Sequence, residues 1–485
     1  MGEDVAEHAD ESTWRTWRIL ISALLVLILF AAYACADYKD WLPGPLTATR
    51  QAPATASRTS LQALAPAAVT RQVEPGKPID PAAAQAVVDA FAGTAGLGTD
   101  FSLMIANANG TVAAQRNQDQ AREPASTLKT LTAAAAASSL DMASRLNTDV
   151  VLEESSTASP LLTLRGHGDM LLGTGSNDLE HVNGRAGLQS LAQRTAQELK
   201  RKGLSGVRLE YDASLFGSER SPAAIASNNP DGVYFTPTSA MAIDEGRVRS
   251  AEDRAASPDA RGVYLPHSDD PEAQVAQTFA QALTQEGIKV EGQPTSSKES
   301  VSGKPLAQVS SAPLNEIMTY MLRTSDNTLA ELFGRLTALK ISQPNTPQGA
   351  TEAVAKALQG LGIKTNGMHM ADCSGLSPGS QVSVATLTAI QTLACDGQHS
   401  QLAPLIEGLS VVGLVGTAEN RGQGDESDGL VRVKTGSLDQ VTSLAGNVSR
   451  RSGGVLTFAV IVNNPQDMGA AVKAVNTLMS ALPGL

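Results

Sequence analysis

A serine and a lysine stand three residues apart, Ser126 and Lys129, in the segment Pro124-Ala-Ser-Thr-Leu-Lys-Thr130. The alanine-rich stretch that follows, as far as Leu140, predicts a central buried helix. Residues three apart on a helix share a face, with Cβ atoms about 5 to 6 Å apart. A lysine that is desolvated, or that lies near another cation, becomes neutral enough to take the proton of a serine hydroxyl. The pair therefore predicts a nucleophile, Ser126, with Lys129 as its base.

A Ser-x-x-Lys pair arises by chance roughly once in a chain of this length, so the pair alone is weak evidence for an active site. Other polar groups in the sequence must support the prediction. Ser325-Asp326-Asn327 lies in a helix-compatible segment, where a second hydroxyl can relay protons and an amide can hold a substrate carbonyl. A rival match, Ser227-Asn228-Asn229, directly precedes the turn residues Pro230-Asp-Gly232. Turn chemistry explains these asparagines without a function.

A third group of polar residues, Lys434-Thr435-Gly436-Ser437, follows the strand-like segment Leu430 to Val433. Its lysine can face a substrate carboxylate. Gly436 lets another part of the backbone approach closely, because glycine has no side chain. The three groups together supply a nucleophile with its base, a second hydroxyl with an amide, and a cation for a carboxylate.

The elements around these groups mix helices and strands without a βαβ rhythm, which predicts an α+β fold with an antiparallel sheet. Many turn signals mark residues 152–268 as an inserted domain, so the catalytic domain comprises 81–151 and 269–485. Helices are expected at Ala83–Phe91, Leu188–Lys202, Glu272–Glu286, Leu314–Ala338 and Met468–Leu482, and strands at Phe101–Ala106, Thr111–Ala114, Leu430–Val433, Ser443–Val448 and Leu456–Val462.

The order Ser-x-x-Lys, Ser-x-Asn, Lys-Thr-Gly is the signature of serine penicillin-binding proteins and β-lactamases. Over residues 81–480 the chain resembles the class C, low-molecular-mass penicillin-binding proteins, the D-alanyl-D-alanine carboxypeptidase/endopeptidase family. The long gap between the first two motifs also resembles that family. Further matching segments are Gly166-His-Gly-Asp169, Tyr211-Asp-Ala-Ser-Leu-Phe216, Thr236-Pro-Thr-Ser-Ala240, Ser325-Asp-Asn-Thr-Leu-Ala-Glu331, Asp372-Cys-Ser-Gly-Leu-Ser377 and Lys434-Thr-Gly-Ser-Leu438.

Two departures from the family pattern affect one loop. The chain has Asp372-Cys373-Ser374 where the family usually has a glycine in the middle, and Pro378-Gly379 where a basic residue is common. The details of substrate binding near this loop are therefore left open.

The resemblance implies a penicillin-binding/β-lactamase-like transpeptidase fold and a role for each motif residue. Ser126 would attack the carbonyl between two terminal D-alanines, with Lys129 as proton acceptor and Ser325 as proton relay. Backbone N–H groups of Ser126 and Ser437 would form the oxyanion hole. The implied partners are peptidoglycan pentapeptide stems and β-lactam antibiotics, and no cofactor is implied. The implied substrate-binding residues are Asn327, Lys434, Thr435, Gly436 and Ser437.

Charge and composition narrow the other possibilities. A net charge of -12 without clustered lysine and arginine argues against a nucleic-acid partner. The six histidines have neither triad nor metal-ligand spacing, so no metal site is predicted. Outside the cytoplasm Cys373 and Cys395 could form a disulfide, whereas Cys35 stands apart at the membrane boundary.

An uncharged run, Ile19 to Ala36, is long enough as a helix to cross a hydrocarbon core of about 30 Å. Arg15 and Arg18 precede it, which predicts a cytoplasmic tail at 1–18 and an extracytoplasmic body. Residues 37–80, rich in proline, alanine and threonine, are expected to form a linker. A single-pass anchor is favoured, and the alternative is secretion after cleavage at Ala34-Cys-Ala36.

Two other functions remain as alternatives to a peptidase. A β-lactamase needs a group that activates the deacylating water, and no Glu-x-x-Leu-Asn segment follows Ser325 to supply it. A non-catalytic wall-binding or antibiotic-sensing module is disfavoured by the short cytoplasmic tail and the three intact motifs. The sequence leaves open the balance between carboxypeptidase and endopeptidase action.

Overall fold

The computed structural model describes residues 7–39, 74–154, 159–250, 257–260, 264–422 and 426–485. The chain divides into two compact units, one ending at Gln72 and the other spanning Val73–Leu485. In the first unit, helix α1 spans Glu7–Tyr38, and its part Thr16–Tyr38 is long and apolar enough to cross a membrane. The helix thus begins inside the segment expected to be a tail. The expected linker falls mostly on residues 40–73, outside the described residues.

The second unit contains both helices and strands. The helices are α2 (Pro81–Ala92), α3 (Lys129–Ser139), α4 (Leu188–Arg201), α5 (Pro271–Gln285), α6 (Leu314–Thr324), α7 (Asn327–Lys340), α8 (Pro347–Gly360), α9 (Val384–Cys395), α10 (Ala403–Gly408) and α11 (Met468–Ala481). The strands are β1 (Phe101–Asn107), β2 (Val112–Arg116), β3 (Arg145–Glu153), β4 (Leu161–Gly166), β5 (Asp169–Leu172), β6 (Gly206–Asp212), β7 (Met241–Ile243), β8 (Lys289–Val290), β9 (Thr295–Ser296), β10 (Ala307–Pro313), β11 (Ser410–Val411), β12 (Val431–Leu438), β13 (Val441–Ser449) and β14 (Val455–Asn463).

The main sheet is antiparallel, with strand order β11-β12-β13-β14-β1-β2. Both of its faces are covered, so β14 is mostly apolar and its residues alternate between two cores. Phe458 and Val460 pack in one core with α2 and α11, whereas Ala459 and Ile461 pack in another with α3, α7 and α9. Helix α3 is buried from Lys129 to Ala137, which confirms the predicted central helix. The expected α+β fold is confirmed.

A second sheet has the order β10-β3-β4-β6-β8, with β9 beside β6, and α4 and α5 share its hydrophobic core. The boundaries expected at 152 and 268 cut through this sheet. Strand β3 begins before the first boundary and pairs with β10, which lies well after the second. We propose that the inserted unit extends from Arg145 to Pro313, because these strands and α5 share one core.

The single helix predicted for Leu314–Ala338 is wrong, because two helices meet there. Ser325 ends α6 in the left-handed conformation, with φ of 62°. Asp326 is extended, and its Oδ1 accepts a hydrogen bond from the N–H of Leu329, which caps the start of α7. The apolar periodicity continues across the break, so it conceals the turn.

The suggested disulfide is absent, because Cys373 and Cys395 are both free thiols in the structure. Cys373 is buried against α7, where a Cβ added to Gly334 would lie 2.3 Å from the Cys373 sulfur. Burial raises the pKa of the Cys373 thiol well above its ordinary value. This sulfur therefore belongs to the core packing of α7.

Candidate active site

Ser126 lies in a short 3₁₀ turn, Ala125–Leu128, that leads directly into α3. Ala125 has a φ of 48°, in a region that residues with a side chain rarely occupy. The loop at Gly375 packs closely against it, since a Cβ there would lie 2.0 Å from the Ala125 oxygen. The loop at Gly375 therefore holds the turn in a strained backbone conformation, which is common where a residue acts in catalysis.

Lys129 is the first residue of α3, and its side chain is fully buried. Its Nζ donates hydrogen bonds to Ser126 Oγ at 3.0 Å, to Asn327 Oδ1 at 2.7 Å and to the Ser374 carbonyl oxygen at 2.9 Å. Burial lowers the pKa of Lys129 to about 8, against the opposing effect of nearby carboxylates, of which Asp372 is the strongest. A substantial fraction of this amine is therefore neutral near physiological pH.

The second motif occupies the junction of α6 and α7. Ser325 Oγ accepts a hydrogen bond from Lys434 Nζ at 2.9 Å. Asn327 turns its carbonyl towards Lys129, while its amide nitrogen donates to the Tyr234 carbonyl oxygen at 2.9 Å. The junction therefore connects the first and third motifs.

The third motif lies on β12, which passes beside the 3₁₀ turn. A Cβ at Gly436 would lie 2.2 Å from Ser443 Oγ and 2.7 Å from the Pro124 oxygen, so only glycine fits there. Lys434 is fully buried, and burial together with the charges of Lys129 and Arg421 holds its pKa well below the ordinary value. These two buried lysines create a site that favours an incoming anion.

All eight residues predicted for the site lie where three parts of the structure meet: the 3₁₀ turn with α3, the junction of α6 and α7, and β12. Thr435 Oγ1 donates to Thr417 Oγ1 at 2.7 Å, and Ser437 is exposed at the end of the motif. The rival Ser227-Asn228-Asn229 does not join the site's hydrogen bonds, since Asn228 Nδ2 donates to the Leu376 oxygen at 2.7 Å. In the described part of the chain, no group of three or more His, Cys, Asp or Glu residues is placed to hold a metal.

The sequence analysis assigned no role to the groups that support the motif residues. Ser374 lies in the segment Asp372–Ser377 that matches the family, but it contributes its carbonyl oxygen, which any residue could supply, so its contact with Lys129 could not be expected from the residue type. Asp372 holds that loop by accepting from the N–H groups of Ser374, Gly375 and Ser377. Tyr234 also acts through a carbonyl oxygen, and Thr417 stands outside every recognised motif.

Comparison with known proteins is consistent with this geometry. A family model described as the D-Ala-D-Ala carboxypeptidase 3 (S13) family matches residues 84–267 and 259–482. Carboxypeptidase DacB of Mycolicibacterium smegmatis is 32% identical over 365 residues, covering 74% of this chain and 75% of the relative. Carboxypeptidase Rv3627c of Mycobacterium tuberculosis is 32% identical over 356 residues, covering 72% and 73%.

Among solved structures, penicillin binding protein 4 of Haemophilus influenzae superimposes with a TM-score of 0.67 at 22% identity. The match covers 82% of this chain and 99% of that protein. The complex of that protein with a β-lactam gives a TM-score of 0.63 at 21% identity, with the same coverage. At this identity the likeness establishes the fold.

Proposed function

We propose that this chain, which belongs to the D-Ala-D-Ala carboxypeptidase 3 (S13) family, uses Ser126 as the nucleophile of its reaction. The protein is a serine-type D-alanyl-D-alanine carboxypeptidase that acts on peptidoglycan. One observation carries the assignment of the nucleophile: Ser126 Oγ lies 3.0 Å from the buried amine of Lys129. A base within hydrogen-bonding reach is what a serine needs to become nucleophilic.

Acylation begins when neutral Lys129 takes the proton of the Ser126 hydroxyl. Ser126 Oγ then bonds to the carbonyl carbon of the penultimate D-alanine, and the bond from that carbon to the terminal amine breaks. Ser325 relays to the departing amine the proton that Lys129 took up, so Lys129 becomes neutral again and Ser325 keeps its hydroxyl proton. Lys434 holds the Ser325 hydroxyl in place for this transfer. Water later cleaves the ester, returns the proton to Ser126 and releases the shortened peptide.

Backbone N–H groups of Ser126 and Ser437 stabilise the oxyanion that forms during each step. The close passage of β12 over the 3₁₀ turn, which Gly436 permits, supports this pairing. Removing one such donor typically costs about 3 kcal/mol in the barrier. The glycine therefore contributes to catalysis through the position of the backbone.

Lys434, Thr435 and Ser437 bind the terminal carboxylate, and Asn327 binds the amide on the acyl side. A substrate carboxylate stabilises the charge that burial disfavours on Lys434, so binding restores its ammonium form. A β-lactam carries a comparable carboxylate and amide, and we propose that it acylates Ser126. The β-lactam complex of the Haemophilus protein supports this extension.

The position relative to the membrane is part of the same proposal. The apolar part of α1, Thr16–Tyr38, serves as a single-pass anchor that places the catalytic unit outside the cytoplasm, where peptidoglycan lies. Intact-mass analysis of the protein from membranes tests this. A mature chain that begins after Ala36 would show that the segment is a cleaved signal and not an anchor.

The function is tested with the full-length chain in detergent. D-Alanine release from diacetyl-L-lysyl-D-Ala-D-Ala and covalent labelling by a fluorescent penicillin are measured for wild type, Ser126→Ala and Ser138→Ala. Ser138 is a matched control on α3, because its hydroxyl donates only to the Ala135 oxygen. We expect Ser126→Ala to lose both activities and Ser138→Ala to keep both. Labelled Ser126→Ala protein would disprove the nucleophile, and labelling without release would indicate a sensor or an endopeptidase restricted to crosslinks.

A further inference from the structure

Strand β7 ends in an unusual turn that lies behind the second motif. Asp244, Glu245 and Gly246 have φ values of 48°, 56° and 79° in succession. Two residues with side chains rarely adopt this conformation side by side, and strain of this kind persists only where surrounding contacts impose it. Glu245 is fully buried within the turn.

The turn presents the next residue, Arg247, to the junction of α6 and α7. Arg247 donates to both carboxylate oxygens of Glu245, at 3.0 and 3.2 Å, and to Asp326 Oδ2 at 2.9 Å. The other oxygen of Asp326 caps α7 through Leu329. Asp326 is therefore held from two sides, and it stands between Ser325 and Asn327.

Two further contacts connect the same segment of the inserted unit to α7. The N–H of Thr236 donates to Thr328 Oγ1 at 3.0 Å, and Thr236 Oγ1 donates to the Glu245 carbonyl oxygen at 2.6 Å. The Tyr234 carbonyl oxygen accepts from Asn327. Three successive residues, 326–328, are thus contacted from the inserted unit.

The charges in this cluster are balanced in pairs. Arg247 pairs with Asp326, and Arg249 pairs with Asp244. Burial raises the pKa of Glu245 well above its ordinary value, so this carboxyl favours its neutral form. Arg247 lowers the pKa of Asp326 against the effect of burial. Without Arg247, the carboxyl groups of Asp326 and Glu245 would lack their shared cation.

We infer that Arg247 is a positioning residue for catalysis, which acts through Asp326 to hold Ser325 Oγ and the Asn327 amide in place. The inference rests on the proposed roles of Ser325 and Asn327. Ser325 itself is in the left-handed conformation, so its turn can relax if the anchor at Asp326 is lost. A displacement of about 1 Å at a reacting group can cost about 100-fold in rate.

The test compares full-length variants on diacetyl-L-lysyl-D-Ala-D-Ala and in labelling by fluorescent penicillin. Arg247→Met is expected to lower kcat about 100-fold with KM within about threefold, because reacting groups move while the carboxylate-binding residues of β12 stay in place. Arg247→Lys keeps the positive charge but loses the planar guanidinium that binds two carboxylates at once. Its kcat is expected to be about tenfold higher than that of Arg247→Met. Asp326→Asn can still cap α7, so it removes the ion pair alone and should match Arg247→Met.

The double variant Arg247→Met with Asp326→Asn should be no slower than the slower single variant, because both remove one interaction. Arg185→Met is the matched control, since Arg185 joins Glu316 across the same units at 2.8 Å without touching a motif. Wild-type kcat in Arg247→Met, or losses that multiply in the double variant, would overturn the inference. If Arg247→Met does not fold, wild-type kcat in Arg247→Lys and Asp326→Asn overturns it equally. An inactive wild type would instead count against the proposed function.

Discussion

The two serine turns of the site are held in position by different physical means. The turn that carries Ser126 is fixed by packing, since Gly375 and Gly436 allow two backbone segments to press against it. The turn that carries Ser325 is fixed by buried polar groups, with Arg247 and Thr236 reaching it from the inserted unit. Close packing restricts the first turn, whereas the second turn depends on hydrogen bonds and an ion pair with the inserted unit.

Because of this difference, the two turns should respond differently to changes in the inserted unit. The first turn should tolerate changes in the inserted unit, because its contacts come from α3, β12, β13 and the loop at Gly375. The second turn should respond to them, because three of its residues bind that unit. Single substitutions in each turn therefore test whether the two turns depend on different parts of the protein.

The largest effect is expected from removing the base beside the first turn. Lys129→Met keeps an unbranched side chain but cannot accept the Ser126 proton, so acylation by penicillin should fall about 10⁴-fold. The acylation rate constant, measured by fluorescent labelling at several concentrations, checks this. Lys340→Met, at the exposed end of α7, is the control. An acylation rate within tenfold of wild type would show that another group is the base.

A backbone change at the first turn ranks second. Gly436→Ala places a methyl group 2.7 Å from the Pro124 oxygen, which must push β12 away from the 3₁₀ turn. Since the proposed oxyanion donors, the N–H groups of Ser126 and Ser437, lie on both sides of this contact, kcat should fall about 100-fold. Gly360→Ala is the control, because a Cβ there meets nothing within 4 Å. Equal kcat in both variants would show that the close contact of β12 with the 3₁₀ turn is not needed for catalysis.

The sequence predicted the surroundings of the Ser126 turn better than those of the Ser325 turn. The three motifs revealed Ser126, Lys129 and Lys434, because hydroxyl and amine groups at fixed spacing carry their chemistry in the residue type. The contact at Gly436 was also expected, since glycine marks a close approach. What holds the second turn was not predicted, because Arg247 resembles any surface arginine until the fold brings it to Asp326.

The fold shows a similar limit. Strand β14 was found from its mostly apolar sequence, which follows from burial on both faces. Strand β13 was also expected, although it carries buried Thr442, Ser443 and Asn447 among its apolar residues. The break between α6 and α7 was missed, because the apolar period continues through Ser325 and only the backbone angle reveals the turn. The extent that we propose for the inserted unit differs from the expected 152–268, since the pairing of β3 with β10 joins distant segments that have no local signal.

The pH dependence of the rate tests the environment of the first turn. The neutral amine of Lys129 is the reactive form and its pKa is about 8, so kcat/KM should rise about tenfold per pH unit below that value and level off above it. Burial and the neighbouring Asp372 raise the pKa of Glu331 to about 8 as well, so the two groups titrate together. Near pH 8 the ionised fraction of Glu331 favours the ammonium form of Lys129, so Glu331→Gln should shift the acid limb modestly to lower pH. An unshifted limb would exclude this coupling.

The smallest predicted effect compares two threonines, one beside each turn. Thr328 accepts a hydrogen bond from the N–H of Thr236 in the inserted unit, at 3.0 Å. Thr130 lies in α3, and its hydroxyl donates only to the Thr127 oxygen in the adjoining 3₁₀ turn, at 2.8 Å. Valine at position 328 leaves a buried N–H unpaired, at a cost of about 1 to 3 kcal/mol, part of which is relieved by movement of α7.

We therefore expect Thr328→Val to lower kcat by about 3- to 10-fold, and Thr130→Val to leave it within about twofold. Melting temperatures of both variants show whether any loss of rate only reflects loss of stability. If both variants lose stability equally but only Thr328→Val loses rate, the inserted unit controls the second turn through its polar contacts. Equal losses of kcat would mean that the two turns depend on packing alike.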